Sequence, residues 1–104
     1  MSEYYLGDDI EFGYEITEGE ETYTFQKGDK LVVLFYNAEV DDAFCLSQVI
    51  EVQESASKVK VEIDRVHLQH IKVGRYILEI KLISDEKVHT LNQEIVLAKE
   101  SKVI

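Results

Sequence analysis

At 104 residues, 45% hydrophobic and 31% charged, the chain has material for one folded domain and is too apolar to remain disordered. Its net charge of −10, from 21 acids against 11 bases, argues against nucleic acid and against an anionic membrane surface, since both are bound through Lys and Arg. The single cysteine, Cys45, rules out an intrachain disulfide, and no apolar run approaches the ~20 residues of a transmembrane helix.

The opening MSEYYLGDDIEF has neither a basic start nor an apolar run, so no signal peptide is expected. Residues 1–8 are expected to fray. Ile10, Phe12, Tyr14 and Ile16 then alternate with Asp9, Glu11 and Glu15, a period of two that sends one set of side chains to a core and the other to water. Thr17–Glu20, with Gly19, reads as a turn, and Thr22–Phe25 as a short strand. Lys27-Gly28-Asp29 signals a turn before Leu31–Tyr36, a run apolar on both faces. Such a strand is either covered on both sides or meets a partner with its outer face.

Asn37–Ala43 is turn-like, and Cys45–Gln53 carries Leu46, Ile50 and Val52 on one parity with Val49 on the other. Glu54–Ser57 is a turn of small residues. Val59, Val61 and Ile63 alternate with Lys58, Lys60, Glu62 and Asp64 as a half-buried strand. Asp64–Val73 alternates poorly and predicts a helical turn or a corner between sheets. Tyr76, Leu78, Ile80 and Leu82 then point inward, and Arg75, Glu79 and Lys81 outward. Asp85-Glu86-Lys87 predicts a hairpin turn. Leu91, Gln93, Ile95 and Leu97 carry a last strand with Glu94 between, before a tail from Lys99 to 104 expected to fray. About seven short strands predict an all-β domain over residues 1–104, an Ig-like two-sheet antiparallel sandwich.

The segment from Leu68 to Tyr76 carries a Gly two residues before a Tyr at the start of a late strand. That arrangement is similar to the tyrosine corner of Ig-like sandwiches. Gly74 would permit a positive φ, and Tyr76 would bury its ring and direct its hydroxyl to an upstream backbone group.

Phe25-x-Lys27-Gly28-Asp29 before an apolar strand, Val59-x-Val61-x-Ile63, Gly74-x-Tyr76-x-x-Glu79-Ile80-x-Leu82 and Ile95-Val96-Leu97 together span most of the chain. The set resembles small Ig-like domains in tail, baseplate and neck proteins of phages and prophages of Gram-positive bacteria, such as the N-terminal domain of the lactococcal phage upper baseplate protein. The resemblance implies structural or assembly work without catalytic residues. It also implies a location in the cytoplasm of the producing cell or in the assembled virion.

No motif argues for chemistry. Asp64, His67 and His70 could share a face if their segment were helical, but structural zinc sites show paired ligands at both ends, and an exposed corner is the simpler reading. Asp8-Asp9-x-Glu11, Asp41-Asp42 and Asp85-Glu86 could furnish a loop calcium site, yet no EF-hand spacing is present. Cys45, beside Phe44 and Leu46, reads as a small buried hydrophobe without a base. No nucleophile elbow, phosphate loop or dinucleotide fingerprint occurs, so neither catalysis nor a metal or other cofactor is expected.

What remains is a surface. Tyr4 and Tyr5, with the outward-facing Val32, Leu34 and Tyr36, form a candidate contact for another virion protein or for a second copy of the chain. The alternative is a module that recognises carbohydrate or a cell-surface group through its loops. Nine acids of the N-terminal third, from Glu3 to Asp29, face only Lys27 and Lys30, an edge that is either solvated or turned to a basic partner.

Overall fold

The structure, a computed structural model, describes residues 2–39 and 46–100. Asp41, Asp42, Cys45 and residues 101–104, for which expectations were given above, lie outside the described residues.

Among the described residues nine strands follow in chain order: β1 (Ser2–Tyr5), β2 (Ile10–Tyr14), β3 (Thr17–Glu18), β4 (Glu21–Thr22), β5 (Lys30–Asn37), β6 (Leu46–Glu51), β7 (Val59–Ile63), β8 (Gly74–Ser84) and β9 (Lys87–Lys99). The described residues are all-β apart from a 3₁₀ turn at Arg65–Leu68. Five strands form one sheet in the order β1-β9-β8-β5-β6, β2 pairs with β7, and β3 with β4 closes a small hairpin.

Alternation decides what each strand buries. Val59, Val61 and Ile63 of β7 are buried while Lys60 and Glu62 are exposed. Leu31, Val33 and Phe35 of β5 have no exposed surface, and Val32, Leu34 and Tyr36 between them are half-buried on the other face. Val33, Phe35, Tyr76 and Leu78 meet Val61 and Ile63 in one core cluster, against which Ile10, Phe12 and Tyr14 pack. A second cluster gathers Phe25, Leu31, Val52, Val59, Ile80 and Leu82. The Phe35 ring stacks on Tyr76 at 5.1 Å and takes the edge of Tyr4 at 6.3 Å. Ring pairs of this kind add about 1 kcal/mol beyond the area they bury.

Three expectations are corrected. The large sheet is mixed rather than antiparallel, because β1 runs parallel to β9 with Ser2 opposite Val96 and Tyr5 opposite Lys99. Residues 2–5, expected to fray, are held by that pairing and by Leu6 N–H donating to the Lys99 carbonyl at 2.9 Å. A register shift between β8 and β9 skips Leu91, so the parity that begins at Leu91 does not continue along one face. Leu91 packs toward the core, whereas Ile95 and Leu97 share the outer face with Ile77 and Arg75. The inner positions go to Asn92, Glu94, Val96 and Ala98, since a bulge inverts the facing of every residue beyond it.

Two turns fix the ends of the central strands. Before β5, the Asp29 N–H donates to the Gln26 carbonyl at 3.0 Å, and Gly28 sits at φ 95°, a conformation that costs any side chain. After β7, the Asp9 carboxylate accepts the Arg65 N–H at 2.6 Å and so secures the 3₁₀ turn, whose Leu68 is buried.

Candidate functional site

The outer face of the five-stranded sheet has no other strand laid over it among the described residues. Register assigns its members. Val32 lies opposite Val49 and Lys81, Leu34 opposite Ser47 and Glu79, and Tyr36 opposite Ile77. Ile77 is in turn opposite Ile95, and Ile83 opposite Val88. Val49, Val88 and Ile95 are 56%, 59% and 45% exposed, and Val32, Leu34, Tyr36, Ile77, Ile83 and Leu97 are half-buried. Tyr5 extends the face at the β1 edge, exposed, with its hydroxyl donating to Glu3 at 3.0 Å.

Tyr4 does not belong to this surface. It is 5% exposed on the inner face, its ring packs against Phe35 and its hydroxyl donates to the Asp8 carbonyl at 2.7 Å. Burial pushes that hydroxyl's pKa up. Adjacent residues of a strand face opposite ways, so Tyr4 and Tyr5 could never have shared one surface.

At the centre of the outer face sits Glu79, only 7% exposed. Its carboxylate accepts from the Gln93 amide and, at 3.4 Å, from the Tyr36 hydroxyl, with the Lys81 ammonium at 3.6 Å. Burial, then the Glu79 charge, pushes the Tyr36 hydroxyl up. The ionic side chains of the face are Lys30, Arg75, Lys81 and Lys99 against Glu3, Glu51 and Glu79, so this side is nearly neutral. The surplus acids lie elsewhere, on β2 and around the β3–β4 hairpin.

Residues 74–76 form a corner at the start of β8. Gly74 has φ 156°, and the buried Tyr76 accepts the Lys72 N–H at its hydroxyl, 3.1 Å away. Asp29 is a second buried polar centre, taking hydrogen bonds from the Tyr23 hydroxyl (2.9 Å), the Gln26 N–H (3.0 Å) and the Ser84 hydroxyl (3.0 Å). Burial pushes its carboxyl up, but the bonds from Gln26, Tyr23 and Ser84 outweigh it and hold the group below its ordinary value.

A cleft of about 410 Å³ opens between β2 and the β1–β9 side of the large sheet, lined by the apolar Ile10, Phe12, Tyr14, Leu78, Ile80 and Val96 and by the polar Ser2, Asn92 and Glu94. Among the described residues no group of three or more His, Cys, Asp or Glu side chains is placed to hold a metal ion. Asp64 and His67 border a shallow polar hollow with Gln48 and Glu62, and His70 does not join them.

No family model, curated protein or solved structure matches this chain.

The sequence pointed to the outer face through Val32, Leu34 and Tyr36 of β5 and through Tyr5 of β1. Val49 on the off parity of β6, and Ile77 and Ile83 interleaved with Arg75, Glu79 and Lys81, carried the same signal and extend the patch across neighbouring strands. Ile95 and Leu97 could not be placed without the bulge.

Proposed function

We propose that this chain is a non-catalytic interaction domain of immunoglobulin-like architecture that works by setting the outer face of its five-stranded sheet against another structural protein or a second copy. The observation that carries this reading is that uncovered apolar face, near-neutral on a chain of net charge −10, with a hydrogen-bonded Glu79 at its centre. Contact cores favour such a composition, poor in charge and rich in aliphatic and aromatic side chains. Five strands spaced about 4.8 Å apart, with eight residues in β5, cover on the order of 600 Å², close to the ~800 Å² per partner of a standard interface.

The immunoglobulin-like reading is supported by a first strand parallel to the last, by the antiparallel β9-β8-β5-β6 order and by the Tyr76 hydroxyl bonded four residues upstream. The reading as a phage or prophage virion component, in tail, baseplate or neck, is supported by the sequence resemblance.

Light scattering after size exclusion over a range of concentrations tests the face. A fixed oligomer that Leu34→Glu and Val49→Glu each return to monomer is the expected outcome. A wild-type monomer would direct the face to a different protein. Variants that alter neither assembly nor stability would remove the face from consideration.

A further inference from the structure

The two sheets are unequal. Among the described residues five strands oppose two, and β2 is paired on one side only, by β7. Its other edge therefore presents unpaired backbone groups, which in a native strand are a template for another strand. The cleft of about 410 Å³ lies along this free edge. Ile10, Phe12 and Tyr14, alternate residues of β2, form one wall, and Asn92, Glu94 and Val96, alternate residues of β9, form the other. A slot walled by two runs of alternate residues follows strand geometry, and four residue steps give it a length of about 13 Å.

We propose that this slot receives an extended segment of a partner protein, which adds to the free edge of β2 and drops every second side chain into the cleft. Affinity would come from main-chain hydrogen bonds and selectivity from the alternate side chains. The inward residues must be apolar, to match Phe12, Tyr14, Ile80 and Val96. The outward residues must be basic. Glu11 lies on the outward side of β2 with Glu15 just past its end, Asp8 and Asp9 precede the strand, and Glu18, Glu20 and Glu21 follow around the β3–β4 hairpin. Lys58 pairs with Glu15, and Lys60 with Glu11 and Glu62, so Asp8, Asp9, Glu18, Glu20 and Glu21 are not answered by these two lysines. A second copy pairing β2 against β2 would bring the same acids together, so the occupant is a different molecule.

A peptide library displayed against the immobilised domain supplies the probe. The selected sequences are expected to alternate Val, Ile or Leu with Lys or Arg, and to protect β2 amides from hydrogen exchange when bound. N-methylation of alternate amides in a selected peptide should abolish binding. Asn92→Trp, which fills the slot from β9, should weaken binding at least tenfold with the melting temperature unchanged. Leu34→Glu, on the opposite face, should leave binding intact, which separates this site from the outer-face contact. No selected sequence, selected sequences without alternation, equal binding of the N-methylated peptide, or binding lost with Leu34→Glu and kept with Asn92→Trp would each overturn the proposal.

Discussion

Two buried polar groups hold parts of the chain that the hydrophobic pattern does not. Tyr76 closes the corner into β8 by accepting the Lys72 N–H, and its ring stacks on Phe35. Tyr76→Phe keeps the ring and leaves that donor without its partner. The expected loss is about 1–2 kcal/mol in urea unfolding, with an unchanged slope. Asp29 gathers the Gln26 turn, Tyr23 and the end of β8 at Ser84. Its carboxyl is held below its ordinary value in the folded state. The stability it contributes is therefore complete above the unfolded-state value, near pH 4, and is lost as pH falls from there through the folded value. Asp29→Asn should cost about 2 kcal/mol near neutral pH and cost progressively less in acid. Urea unfolding of both proteins from neutral pH down to about pH 3 checks the sign, since the two curves must converge on the acid side.

The Asp85–Glu86 turn shows how an element can be well placed and poorly filled. Ser84 pairs with Lys87, and the two residues between sit at φ 51° and 65°, the arrangement that Asn-Gly fills best. Glu86→Gly should stabilise the hairpin by about 1 kcal/mol, read as a rise of about 4–8 °C in thermal unfolding. The turn itself was readable from sequence, because Asp-Glu-Lys interrupts two apolar runs. So were β5, β7 and β8, whose inner faces are packed along their length and whose patterns are correspondingly clean. β1 was not readable. It is four residues long, only Tyr4 is buried, and its pairing with β9 spans nearly the whole chain. Nor was the facing of β9, because one extra residue at Leu91 inverts the pattern and no residue type announces it. That inversion bears on both candidate surfaces. It moves Ile95 and Leu97 onto the outer face and turns Asn92 and Glu94 into the cleft.

On the scale of the whole molecule, charge separates the two proposed contacts. The chain carries −10, yet its apolar outer face is nearly neutral and the β2 edge is strongly acidic. Raising salt from about 0.1 to about 1 M shortens the Debye length from about 10 to about 3 Å. Two copies meeting through the outer face repel one another at long range through their net charge, and gain from apolar burial at contact. Screening removes the first and leaves the second, so self-association through this face should hold or tighten with salt. A basic strand at β2 is drawn in by the acids that salt screens, so its affinity should fall over the same range. Light scattering and a titration with a selected peptide, run in one salt series, should therefore move in opposite directions. If both weaken together, the acidic edge rather than the apolar face drives self-association, and Leu34→Glu should then leave the oligomer intact.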